Sequence, residues 1–231
     1  MSTFKTEALV LSKRPLKNAD RLYILYSPEF GKLEAKLRSA ASSKSKIAGQ
    51  IEPLCLSQIM VAKGKEMEIV AGALLIKNYD FSDLRIQSLA GLAAEMVSRF
   101  IKPGLPDKEI YQLIQSYFDA LQAKDTAWRK NEPGSNGSGL SLLSLRFIWQ
   151  MLIHLGYKID LSQSSDRLLP ELSLEAKSLL SDCLKTRSEL TILQSSSKVI
   201  DELINFTQSY LRYFLEGDLK AYYLSFYAKK P

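Results

Sequence analysis

The sequence predicts an α+β chain in two consecutive parts, a five-stranded β-barrel over residues 1–80 and an α-helical bundle over residues 81–231. Three observations carry that reading. Between Phe4 and Lys77, short runs alternate apolar and polar residues with a period of two, which is the pattern of half-buried strands. Beyond Tyr79, apolar residues recur at helical spacing instead. Charge divides at the same place: residues 1–80 hold 13 Lys+Arg against 8 Asp+Glu, whereas the rest hold 18 against 17.

The strand-like runs follow in order. "TEALVLSKR" is separated by "PLKNAD" from "RLYILYS", and the turn "PEFG" leads into "KLEAKLR". In that third run Leu33, Ala35 and Leu37 alternate with Lys32, Glu34, Lys36 and Arg38, so the cations share one face. The stretch "RSAASSKSKIAG", Arg38 to Gly49, then intervenes as a serine-rich basic loop, expected to be a mobile connection. "EPLCLSQIMVA", the turn "KGKE" and "MEIVAGALLIK" complete the set. Five strands in under 80 residues with short turns suit a small antiparallel barrel, of which the OB-fold is the commonest with that strand count.

In the second part, "DKEIYQLIQSYFDALQA" sets Ile110, Leu113, Ile114, Tyr117, Phe118 and Leu121 on one stripe, with Pro106 and Asp107 as start signals. "LSLLSLRFIWQMLIHLGY" reads as a mostly buried helix ending near Gly156. "SSKVIDELINFTQSYLRYFLEGD" places Val199, Leu203, Phe206, Tyr210 and Phe214 at helical spacing behind a serine cap. Residues 124–139, "KDTAWRKNEPGSNGSG", read as a mobile loop between helices.

Composition bounds the function. A chain of 231 residues with 46% hydrophobic content can bury a full core in one large or two small domains. Its net charge of +6 favours an anionic partner without naming one. Cys55 and Cys183 stand apart in apolar or helical surroundings, as small hydrophobes in a reducing compartment rather than a disulfide or zinc pair. The longest apolar run, Ile69 to Ile76, is far shorter than a membrane span, and the N-terminus lacks a signal-peptide core. A cytoplasmic protein without membrane attachment is expected.

Catalytic chemistry finds little support. Ser43 and Lys46 satisfy SxxK, but the polar loop around them does not supply the helical turn that pairing needs. His154, the only histidine, sits on an apolar helix without neighbouring ligands. Gly64-Lys65 lacks the remaining positions of a phosphate-binding loop, and Glu66 and Glu68 suit a solvated strand face. No catalytic residue, metal site or cofactor is expected. Binding is better supported: Lys32, Lys36, Arg38, Lys44 and Lys46 fall within fifteen residues against the single acid Glu34. Such a stripe can track a phosphate backbone, with Tyr23 or Tyr26, but not both, able to stack a base. It can equally be a lysine-rich face that protects a sheet from aggregation.

Taken together and in order, several segments resemble the RecO family of bacterial DNA repair and recombination mediators. "TEALVLSKRPLKNADRLYILYSPEFGKL" is similar to the family's opening strands, with their Arg-Pro, Asp and Gly-Lys positions. "SSKSKIAGQIEPL" resembles its basic loop, "LRFIWQMLIHLGY" its Arg-Phe helix with Leu-Gly-Tyr, and "YLRYFLEGDLKAYYL" its last helix and tail. The resemblance implies an N-terminal OB-fold and a C-terminal helical domain. It also implies a non-enzymatic activity: binding single- and double-stranded DNA, annealing strands and, with RecR, loading RecA onto DNA coated by single-stranded DNA-binding protein. The protein would be associated with the nucleoid during repair.

Arg14, Lys32, Lys36, Arg38, Lys44 and Lys46 are the expected DNA contacts. Arg146, at the Arg-Phe position, is the expected cation for the acidic, apolar-tipped tail of the coating protein, with Phe147 in the core. Three departures stand out. "KIDLSQSSDRLLPELS" has none of the zinc-binding cysteines many members carry there, which implies a metal-free variant. Arg38-Ser39-Ala40-Ala41 replaces a Lys-Gly-Ala-Arg run, and Ala221-Tyr222 replaces a Ser-Arg pair. The lost cations give weight to an alternative, an adaptor that mainly binds that acidic tail and touches DNA weakly.

Overall fold

The computed structural model describes residues 2–129, 137–157, 159, 171–185, 195–215 and 218–226. Strands β1 (Thr3–Pro15), β2 (Arg21–Ser27), β3 (Gly31–Leu37), β4 (Cys55–Ala62) and β5 (Glu68–Asn78) close into a barrel in the order β1-β2-β3-β5-β4. Only the β3–β5 closure is parallel, through Ala35 opposite Glu68 and Lys36 opposite Ile69. The alternation read from the sequence sets the inside: Ala8, Val10, Tyr23, Leu25, Ala35, Leu37, Ile59, Val61 and Val70 fill the barrel with almost no exposure. A bulge in β1 between Val10 and Ser12 bends that long strand, so its first half pairs with β4 and its second with β2.

The connection after β3 is a succession of hydrogen-bonded turns. The Ala41 N–H donates to the Ala19 carbonyl at 2.9 Å, and the Ser39 N–H donates to Asp20 Oδ1 at 2.8 Å. Local turns follow, Ser42 N–H to Ser39 O and Ser45 N–H to Ser42 O, before a short 3-10 helix over Ala48–Gln50. The serine hydroxyls add to these turns: Ser42 Oγ accepts from the Lys44 N–H at 3.3 Å and Ser45 Oγ from the Ala48 N–H at 3.4 Å.

Helices α1 (Leu84–Phe100), α2 (Lys108–Arg129), α3 (Gly137–His154), α4 (Leu174–Leu184), α5 (Ser197–Leu215) and α6 (Lys220–Phe226) make up the rest of the described chain. Six residues assigned to the 124–139 loop therefore belong to α2 and three to α3, while residues 130–136 lie outside the described set. The last turn of α2 holds because the Asp125 carboxylate accepts from Arg129 Nε at 2.7 Å within its own helix and from the Ser82 and Asp83 N–H groups ahead of α1.

The compact units differ from a single cut after residue 80. One unit comprises residues 1–80 with 93–115, and the other residues 81–92 with 116–231. In the first, the end of α1 and the following turn close over the start of β3: Lys32 Nζ donates to the Ser98 carbonyl at 2.9 Å, and Gly104 N–H returns to the Lys32 carbonyl at 3.2 Å. Gly31 makes that approach possible. Its φ is +64°, and a Cβ there would sit 2.2 Å from the Leu105 carbonyl oxygen. In the second unit α3, α4 and α5 pack together. Phe147 is core, as expected, stacked on Tyr117 at 4.2 Å, and Trp149 donates to Thr207 Oγ1 at 3.0 Å.

Candidate nucleic-acid interface

Cross-strand register assembles the first part of the site. Arg14 lies opposite Leu22, Leu22 opposite Lys36, and Lys36 opposite Ile69. Residues opposite one another point to the same face, and Tyr23, Ala35 and Leu37 point inward, so Arg14 and Lys36 share one outward row across β1, β2 and β3. Ile69 is the second residue of β5. The row therefore runs on toward the β4–β5 loop, whose Lys63 and Lys65 are exposed.

The second part comes from the two loops joined at Asp20. The β1–β2 turn, with Asn18 and Ala19 at φ +60° and +59°, presents an exposed Lys17. The β3–β4 connection, bonded to Ala19 and Asp20, presents Arg38, Lys44 and Lys46, all exposed. Among the described residues Arg14, Lys17, Arg38, Lys44 and Lys46 have no carboxylate partner, whereas Lys36 Nζ lies 3.7 Å from Asp20 Oδ2. Glu52 pairs with Lys13 and lies 4.0 Å from Arg21, so its one negative charge offsets one of these two positive charges. Unpaired cations on turns flanking one barrel face can hold several phosphates without reading base identity.

Lys32 does not belong to this set. Its side chain points outward as the alternation requires, but the residue is only 6% exposed and its ammonium is engaged by the α1 carbonyl of Ser98. Burial draws its pKa below the ordinary lysine value, with Glu34 pulling the other way. Its assignment as a phosphate contact is thus corrected, because a segment more than 60 residues away covers that end of the face. Neither tyrosine offers a stacking surface: Tyr23 fills the barrel, and Tyr26 is covered, its hydroxyl donating to the Asp107 carbonyl at 3.5 Å.

Arg146 is corrected as well. It sits on α3 with 5% exposure, near the Cys183 thiol, which burial pushes up to about 12 while the guanidinium acts in the opposite sense. The charge is enclosed in the helical unit and not presented at an open pocket. Ser43 and Lys46 are both exposed on a chain of turns, not aligned on a helix. Among the described residues no group of three or more metal-ligating side chains gathers, and the cysteine-free stretch at 160–170 lies outside them. None of the described helices is long and apolar enough to cross a membrane.

Lys17, Lys63, Lys65 and Asp20 are not among the contacts expected from sequence, where Asp20 enters only through the family resemblance and Lys65 only as an incomplete phosphate-loop match. The pairing of the strands shows that their turns flank one row of the barrel.

A closed five-stranded barrel with OB-fold strand order, a basic loop-lined face and a following set of helices defines the class: an OB-fold protein with a C-terminal helical part. Residues 1–79 match the family profile described as Recombination protein O N terminal. The chain is 27% identical over 165 residues to the DNA repair protein RecO of Dehalococcoides mccartyi strain CBDB1, covering 71% of this chain and 60% of that protein. It is 26% identical over 244 residues to the DNA repair protein RecO of Desulforamulus reducens, covering 95% of this chain and 93% of the relative. A third, from Desulforudis audaxviator, is 30% identical over 116 residues, 49% of this chain and 47% of that one. In the two matches to Dehalococcoides mccartyi strains CBDB1 and BAV1 the chain spans 60% of the relative's length. Residues 1–79 thus match the RecO N-terminal domain, and along most of its length the chain is similar to proteins named DNA repair protein RecO.

Proposed function

We propose that this chain is a non-enzymatic DNA-binding mediator of recombination in DNA repair. It binds and anneals DNA through the basic face of the barrel and, with RecR, helps load RecA onto single strands covered by single-stranded DNA-binding protein. The observation that carries the reading is the gathering of Arg14, Lys17, Arg38, Lys44 and Lys46, exposed and unpaired among the described residues, around the row that holds Lys36. The relatives bear the name DNA repair protein RecO, which fits a ligand that is a polyanion. The adaptor alternative has less behind it, since its chosen cation, Arg146, is enclosed.

The test is fluorescence anisotropy with a labelled single strand over a salt series. Wild type is expected to lose affinity linearly in log–log form. Replacing Arg38, Lys44 and Lys46 together by Ala should weaken binding and reduce the slope by about two, at roughly 0.7 per phosphate contact. Binding insensitive to salt, or a triple variant with an unchanged slope, would falsify the electrostatic reading.

A further inference from the structure

The most basic region of the barrel is built around an acid. Asp20 accepts the Ser39 N–H on Oδ1 at 2.8 Å and approaches Lys36 Nζ through Oδ2 at 3.7 Å, with a side chain only 14% exposed. Its own backbone closes the β1–β2 turn: Leu16 N–H donates to the Asp20 carbonyl at 2.9 Å, and Asp20 N–H donates to the Lys17 carbonyl at 3.2 Å. One residue earlier the Ala19 carbonyl takes the Ala41 N–H. Two loops separate in sequence are thereby fastened by two hydrogen bonds meeting at Ala19 and Asp20, and an ion pair ties Asp20 to Lys36 of β3.

The fastening holds unfavourable backbone. Asn18, Ala19 and Ser39 all lie at positive φ, of 60°, 59° and 50°. Such conformations cost energy in residues with a Cβ and persist where the surroundings fix them. If total charge alone set affinity for a polyanion, an acid here would only subtract from it. Its value is then geometric: cations held in one arrangement pay their ordering cost before the ligand arrives.

We infer that Asp20 is a positioning residue, which locks the β1–β2 turn onto the β3–β4 connection so that Lys17, Lys36 and Arg38 form one preshaped cradle for a phosphate backbone. This rests on the DNA-binding reading above. Two substitutions separate position from charge. Asp20→Asn removes the negative charge but keeps an oxygen to accept the Ser39 N–H, whereas Asp20→Ala removes both.

With the same labelled strand, Asp20→Asn should bind about two- to threefold tighter than wild type, as expected for a lost repulsion. Asp20→Ala should bind about tenfold weaker despite its added net positive charge, with a salt slope smaller by roughly one contact. Ala41→Pro, which deletes the N–H that meets Ala19 and leaves Asp20 intact, should weaken binding in the same direction. Amide exchange supplies the readout at the lock: Ser39 and Ala41 exchange faster in Asp20→Ala while Leu25, inside the barrel, stays protected. The inference is overturned if Asp20→Ala binds as tightly as Asp20→Asn, or if Ala41→Pro and Asp20→Ala both bind like wild type. Absence of salt-dependent binding in wild type itself would instead remove the DNA reading on which this one stands.

Discussion

At the scale of the residue, Lys32 and Lys36 show how far one side chain's neighbours decide its use. Both sit on the outer side of β3, two turns of the pleat apart in pattern and alike in chemistry. Lys36 keeps contact with solvent beside Asp20, whereas Lys32 ties the last turns of α1 through the Ser98 carbonyl, where a cation also complements the helix end. Lys32→Met keeps the aliphatic stem and removes the donor. The expected loss is ~1.5–3 kcal/mol of stability, measured by urea unfolding, with the salt slope of DNA binding unchanged. A flatter slope would return Lys32 to the phosphate contacts. The sequence made the shared face of these lysines legible. It could not show that one end of the face is roofed, because the roof lies beyond Ser98 in the chain.

At the scale of the element, strands were more legible than helix ends. Alternation in β3 is a local signal that places Ala35 and Leu37 inside and Glu34 outside and fails only at its start, where Lys32 is covered, whereas β2 is buried on both faces. Helix α1 was not named in the sequence reading although Ile86, Leu89, Ala90, Ala93, Met96 and Val97 give it a buried apolar face at helical spacing. The end of α2 was lost to a polar composition that hides a tertiary contact. Asp125 is 1% exposed: burial pushes its carboxyl up, yet the N–H groups of Asp83 and Ser82, the Ser82 hydroxyl and the Arg129 charge outweigh that and hold it below the usual value. A carboxyl depressed by folding adds stability that is present above its unfolded pKa, about 3.9, and is lost as pH falls through the folded value. Asp125→Asn should therefore cost ~1–3 kcal/mol at neutral pH and abolish that share of the acid sensitivity. Tryptophan fluorescence across an acid titration reads both. Parallel acid profiles for variant and wild type would show that Asp125 carries no such linkage.

At the scale of the whole molecule, the charge asymmetry seen in composition proved informative, and the boundary drawn from it less so. The basic surplus does reside in the barrel, where exposed Arg14, Lys17, Arg38, Lys44, Lys46, Lys63 and Lys65 lie in or beside one row. Yet residues 93–115 belong with that barrel, covering Tyr26 and binding Lys32. A fragment ending at residue 80 should unfold at a lower temperature by circular dichroism than one ending at residue 115, since Tyr26 and the Lys32 ammonium would lose their partners. Equal midpoints would mean that the covering segment adds nothing to the barrel's stability.

The clasp at Gly31 and Lys32 also bears on how such proteins can be recombined with one another. A barrel exchanged between two relatives at the end of β5 would carry its own lysine and glycine but meet a foreign turn at Pro103 and Leu105. The donor strand would then have to fit an acceptor carbonyl that it did not evolve beside. Grafts that move the Ser98–Asp107 stretch together with the strands avoid this mismatch, so the transferable piece is discontinuous: two stretches of chain that must travel as a pair.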